Sequence, residues 1–258
     1  MTDLSAGCKG GGSGTKKVKA PGAGGYVRSH GAVIRGDTTQ KRIALVFSGH
    51  EFADGGAFIA QSLEQAHVSA SFFFTGDFYR NPAFQPLIRQ LKKAGHYLGS
   101  HSDKHLLYCD WSKRDSLLVT KKQFQDDLLH SYTEMNKYGI HRDNAPYFLP
   151  PYEWYNDSIA AWTKELGLQL INFTPGTLSN ADYSTPDLKN YRDSKTIFRS
   201  VINFSNERAA GLNGFILLLH IGTDPARTDK FYRLLPQLLQ ELKLKGYRFQ
   251  TVDQLLHP

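Results

Sequence analysis

Cysteine and methionine are scarce in this sequence, with two of each among 258 residues. Cys8 and Cys109 provide no disulfide framework, and a cysteine in a loose tail is a poor partner for a distant one. Long hydrophobic runs are missing as well. No stretch is apolar for long enough to span a bilayer, so no transmembrane segment is expected in this chain. Acidic residues are outnumbered, 24 against 31 Lys and Arg, which leaves a net charge of +7 and invites a nucleic-acid reading. The excess is local, however. Eight basic residues sit in positions 1–42 against Asp3 and Asp37, and the remaining 23 basic and 22 acidic residues nearly cancel. A basic binding face on the folded part is not indicated, and nucleic acid is not an expected partner.

What the chain does contain is 40% hydrophobic and 12% aromatic residues, enough to bury one full core. The first part contributes little to it. Residues 1–39, with Cys8-Lys9-Gly10-Gly11-Gly12 and Pro21-Gly22-Ala23-Gly24-Gly25, read as a flexible Gly/Lys-rich leader, and residues 40–258 as the domain. Ser5-Ala6-Gly7-Cys8 resembles the small-residue box before the lipidated cysteine of bacterial lipoproteins, although the preceding apolar stretch is missing. Two readings stay open: a chain start inside a longer export signal, with a lipid anchor through Cys8, or an accidental match. An exported protein, periplasmic or on the cell surface, is the expectation, with a cytoplasmic one as the alternative.

From Lys41 onward strands and helices alternate. Apolar runs of strand length occur at 42–47, 69–74, 97–98, 147–149, 169–173, 215–220 and 247–251, and helical spacing falls near 56–67, 82–95, 121–138, 157–166, 195–207 and 229–245. Strands buried on both faces and separated by helices predict a parallel sheet, closed or nearly closed: an α/β fold, a distorted β/α barrel. In such barrels chemistry gathers at the C-terminal strand ends. There the sequence places Ser48-Gly49-His50-Glu51, His101 and His105, Pro150-Pro151-Tyr152-Glu153, and His220. Two imidazoles four residues apart, as in His101-Ser102-Asp103-Lys104-His105, can face one cation. The connection 175–194 lacks periodicity and is long for a compact domain, which marks it as functional. Rim aromatics such as Trp111, Tyr152, Trp154 and Tyr183 could present flat apolar faces to a ligand.

The succession Ile43-Ala44-Leu45-Val46-Phe47, Ala70 to Gly76, Gly95 to His105, Pro150-Pro151-Tyr152, Ile216 to His220 and Gly246 to Leu256 resembles the polysaccharide deacetylases of carbohydrate esterase family four, the NodB homology domain. The resemblance implies a distorted (β/α)7 barrel, a divalent metal, usually Zn2+, and hydrolysis of acetyl groups from an acetylated glycan. It implies that His101 and His105 are metal ligands, that His220 is the general acid, and that Leu218 or Leu219 sits by the acetyl methyl. Two departures stand out. The family usually has Phe-Asp-Asp-Gly after the first strand, the first Asp a base and the second a ligand, where this chain has Phe47-Ser48-Gly49-His50. It usually has Arg before Pro-Pro-Tyr, where this chain has Leu149. The losses are coherent, since an Arg beside a missing carboxylate would be an unpaired buried charge.

His50 could complete a three-histidine site with His101 and His105, and Glu51, Asp54 or Glu153 could accept a proton. Glu51 and Asp54 are equally explained as first-turn acids of the following helix, and Asp103 as a loop carboxylate. Tyr152, Trp154, Leu218 and Asp224 are the expected substrate contacts. The alternative reading is a catalytically silent barrel kept as a glycan-binding or structural module of a larger carbohydrate-degrading protein.

Overall fold

The structure is a computed structural model and describes residues 25–256. It begins with a hairpin, β1 (Val27–Ser29) and β2 (Ala32–Arg35), turned at His30-Gly31 where both residues have positive φ. The expected leader is therefore too long. Ala32 and Val33 are buried, and Arg35 pairs antiparallel with Phe215, so the hairpin belongs to the core sheet. Residues 1–24, including Cys8, lie outside the described part.

Next comes β3 (Arg42–Gly49), buried from Ile43 to Gly49 as its unbroken apolar run requires. Around it stand β4 (Ser71–Phe74), β5 (Tyr97–Ser100), β6 (Tyr147–Phe148), β7 (Gln169–Leu170), β8 (Phe215–His220) and β9 (Arg248–Gln250). The spatial order is β1-β2-β8-β3-β4-β5-β6-β7, parallel from β8 to β7, with β9 also paired to the start of β3. A bridge between Val33 and Ile171, with Asn172 N–H donating to Val33 O at 2.9 Å, ties the far edge back to the hairpin. The sheet thus curls into the expected distorted barrel.

Helices cover its outside: α1 (Gly56–Gln65), α2 (Gly76–Arg80), α3 (Gln85–Lys93), α4 (Lys121–Asn136), α5 (Asp157–Glu165), α6 (Ser194–Glu207), α7 (Leu235–Leu244) and the terminal α8 (Val252–Leu256). Their starts are chemically marked. Thr75, Thr120, Asn156 and Asp193 cap α2, α4, α5 and α6 by accepting from backbone N–H groups, and Thr120 forms a reciprocal box with Gln123. The helix expected over 229–245 is shorter, because a 3₁₀ turn at Phe231–Leu234 precedes α7, whose Pro236 suits only a first turn. The strand expected over 169–173 has ladder pairing only at Gln169–Leu170.

Parallel pairing keeps the strand ends level. Ser48 is in register with His220, Gly49 with Phe74, Phe74 with Ser100, and Ser100 with Phe148. The residues just beyond these points share one rim. Below it Phe47, Phe72, Phe73, Phe74 and Phe148 are fully buried, and Phe47 stacks on Phe72 at 5.1 Å between centroids. A chain starting at residue 40 is expected to be at least about 2 kcal/mol less stable than one starting at 25, because it exposes the strand edge that Ala32 and Val33 cover. Equilibrium denaturation of the two chains checks this.

Candidate active site

The site is assembled from five strand ends. His101, directly after β5, is 2% exposed, and its Nδ1–H donates to Leu149 O at 2.9 Å, which leaves Nε2 as the lone-pair nitrogen. Burial drives its pKa down to about 3, with His220 and His50 adding to the fall and the Leu149 bond opposing it. His105 is lowered to about 2, again first by burial and then by His101, His50 and His220. Its ring centroid lies 4.7 Å from that of His50, 5.0 Å from His101 and 4.3 Å from Tyr152. His50 Nδ1 is 3.1 Å from Thr75 Oγ1.

The three imidazoles are thus neighbours, and burial keeps those of His101 and His105 uncharged, the state in which they ligate cations. Donor chemistry fits a divalent ion. The arrangement is less complete: among the described residues no group of three or more His, Cys, Asp or Glu side chains is set to hold a metal. Gly49 leaves no room for a side chain. A Cβ there would come within 2.6 Å of Ile221 Cγ2 and 2.9 Å of Phe74 Cδ1.

The loop bearing His105 is held by its own hydrogen bonds. His105 N–H donates to Ser102 Oγ, Ser102 N–H to Ser100 Oγ, and Lys104 N–H to the buried Asp127 carboxylate, which also accepts from Tyr108. Asp103 turns away from the imidazoles to pair with Arg80 and is a structural carboxylate. Four of the six non-glycine residues with positive φ are Ser102, His105, Tyr152 and Glu153, all on this rim. Strain of this kind persists only where surrounding contacts enforce it.

His220 closes the other side. Its Nδ1–H donates to Asp182 Oδ1 at 2.6 Å, and its backbone N–H donates to Asp182 Oδ2 at 2.9 Å. Burial alone would lower its pKa, but the Asp182 carboxylate outweighs this together with Glu153, so the net shift is upward. Asp182 is itself buried in the connection before α6. That connection is pinned by Arg227, fully buried, whose guanidinium donates to Ser184 O and Arg192 O at 2.6 and 3.0 Å. Sequence reasoning marked the connection as functional but did not single out Asp182 or Arg227. No local signal separates them from other loop charges.

A cavity of about 550 Å³ joins these groups, with Ser48, His50, His101, His105, Glu153 and His220 in its wall. Glu51 and Asp224 stand at its mouth with Tyr152 and Tyr183, which are 44% and 41% exposed. A groove of about 950 Å³ adjoins it through Glu51, Phe52 and Thr223 but contains none of the imidazoles. Glu153 has its pKa raised to about 7, chiefly by burial. Three expected residues fall elsewhere. Leu218 is 1% exposed and paired with Val46 in the core. Trp154 packs under the Arg114 guanidinium and donates Nε1–H to Asp110 O, outside the cavity wall. Asp54 accepts from Thr223 N–H and pairs with Lys230 at 3.0 Å, which makes it a clamp between loops.

Fold and site together define a parallel barrel with a histidine-lined cavity at its C-terminal rim and a His–Asp couple facing that cavity. The chain belongs to the polysaccharide deacetylase family, whose pattern it matches over residues 35–171, more than half its length. It is 27% identical over 232 residues to peptidoglycan-N-acetylmuramic acid deacetylase PdaA of Bacillus subtilis, covering 89% of this chain and 77% of PdaA. The solved PdaA structure overlays on it with a TM-score of 0.65, covering 88% and 85% of the two chains. A peptidoglycan-N-acetylglucosamine deacetylase of Bacillus cereus is 29% identical over 219 residues, 84% of this chain and 89% of the relative. A pseudoenzyme of carbohydrate esterase family four from Bacillus anthracis also shares the fold, at a TM-score of 0.65 and 16% identity, covering 88% of this chain and 69% of that one.

Gly49→Ala is expected to cost about 1–3 kcal/mol through overpacking, and Ile221→Ala in the same chain to recover part of it; thermal unfolding of the single and double variants tests the clash. Asp182→Asn should lower the imidazole pKa of His220, because the carboxylate that favours the imidazolium is gone, read by NMR titration of the ring.

Proposed function

We propose that this protein hydrolyses acetyl groups from a bacterial cell-wall glycan, with peptidoglycan as the substrate class its named relatives support. The observation that carries the reading is the His220–Asp182 couple, held at 2.6 Å and open to a cavity shared with the imidazoles of His50, His101 and His105. Asp182 fixes the tautomer of His220, so Nε2 is the ring nitrogen left to deliver a proton to the departing sugar nitrogen or oxygen. Trp111 and Tyr152, with ring centroids 5.6 Å apart, offer a wall on which a sugar ring can stack, and Tyr183 stands beside His220. Asp224 and Glu51, which line the same cavity, would accept from sugar hydroxyls.

His50, His101 and His105 would hold a divalent cation, Zn2+ by the family resemblance. When bound it supplies a Lewis acid for the acetyl carbonyl. Export to the cell surface accords with a cell-wall substrate, and lipid attachment through Cys8 would keep the domain there. The folded domain on this reading includes the hairpin over 27–35.

A second reading, a barrel that binds glycan without turnover, is favoured by one feature. Ser48 and Gly49 stand where the family has two aspartates. Acetate release from acetylated peptidoglycan fragments by zinc-loaded protein separates the two readings; binding of the fragments with no acetate would sink the hydrolase. Metal analysis of the wild type, His50→Ala and His101→Ala is expected to give about one zinc per chain, lost in both variants.

Glu153 yields a pH test. Its folded pKa near 7 exceeds that of a free carboxyl, so its contribution to stability is complete at low pH and is lost as pH rises through about 7. Glu153→Gln should remove that loss and raise stability above wild type at pH 8 by about 2 kcal/mol. Chemical denaturation at pH 5 and pH 8 would show it.

A further inference from the structure

Ser48 occupies the position from which the family's base carboxylate is missing. It is 1% exposed, it lines the histidine cavity, and its hydroxyl has no hydrogen-bond partner. A buried hydroxyl left without a partner costs stability, so its retention needs a reason. The neighbourhood supplies one. Ser48 and His220 are register partners on adjacent parallel strands, which lie about 4.8 Å apart and direct paired side chains to the same face. His220 Nδ1 is taken by Asp182, leaving Nε2 as the ring nitrogen available to a hydroxyl. The register thus sets a serine beside an imidazole whose other nitrogen is held by a buried carboxylate, the three residue types that activate an alcohol nucleophile. By the family resemblance Leu149 stands where an arginine would balance a carboxylate, so a neutral group at 48 leaves no buried charge unpaired.

We infer that Ser48 is the catalytic nucleophile and that the reaction passes through an acetyl-enzyme. The inference rests on the deacetylase reading above. Ser48 Oγ bonds to the acetyl carbonyl carbon while its proton moves to His220 Nε2. The bond from that carbon to the sugar nitrogen or oxygen then breaks, and the same proton leaves on the freed amine or alcohol. Water attacks the Ser48 ester, passes a proton to Nε2, and Nε2 returns it to Oγ as acetic acid departs. Asp182 keeps Nδ1–H oriented throughout. The hydroxyl and imidazole are not yet hydrogen-bonded in the free protein, as is common before substrate closes such a pair.

The test uses full-length, metal-loaded protein, p-nitrophenyl acetate and an acetylated peptidoglycan fragment. Each reaction is quenched in acid and mapped by peptide mass. The expected result is one acetyl group on the peptide containing Ser48, absent from Ser48→Ala and present as a thioester in Ser48→Cys. Acetate release should fall by about a hundredfold or more in Ser48→Ala. Circular dichroism confirms that both variants are folded. Acetate release from the fragment at an unchanged rate in Ser48→Ala, with no adduct in wild type, overturns the serine route and leaves the deacetylase reading standing. An adduct from the ester without acetate release from any glycan upholds the nucleophile and overturns the glycan reading. Neither adduct nor acetate overturns both.

Discussion

Strand β3 is the constraint on which the rim depends. It pairs with β8, β4 and β9, is buried along nearly its whole length, and brings Ser48 level with His220 and Gly49 level with Phe74. A one-residue slip would turn every side chain of the strand to the opposite face. Ser48 would leave the cavity and Phe47 would leave the stack with Phe72. The apolar packing of β3 therefore sets the spacing of polar groups above it.

Desolvation then decides their charge. His101 and His105 stay neutral because burial penalises the imidazolium and their ring neighbours reinforce the effect. His220 departs from this pattern because Asp182 meets its Nδ1. Glu153, largely deprived of water, favours its neutral form up to about 7. One cavity thus holds neutral donors on one side and a carboxylate-backed imidazole on the other, the separation of roles that acid–base chemistry needs.

The strand end at β3 is closely packed. Gly49 has no space for a side chain against Ile221 and Phe74, and Leu149 beyond β6 is fully buried. A side chain at 49 would meet a steric clash. The loops above are fixed with equal economy. Arg227 spends its buried charge on carbonyls of the segment that carries Asp182, and Asp54 clamps Lys230 and Thr223.

Much of this was legible without coordinates, because it follows from local pattern. Continuous apolar runs separated by helical spacing specify a parallel barrel, and the strand ends so placed predicted His50, His101, His105, Glu153 and His220 on one rim. Pattern fails where a role depends on distant partners. The hairpin at 27–35 follows a glycine-rich tract and reads as leader, yet its backbone completes the sheet edge. Asp54 and Asp182 are both loop aspartates in sequence; only the approach of Lys230 to one and His220 to the other separates a loop clamp from an imidazole partner. By itself the sequence determined the barrel, its polarity and the histidine rim, since these arise from periodicity and strand order. Tertiary structure alone decided which carboxylate backs His220, how closely Ile221 and Phe74 approach Gly49, and that Ser48 is buried unpaired, since each depends on contacts between segments far apart in the chain.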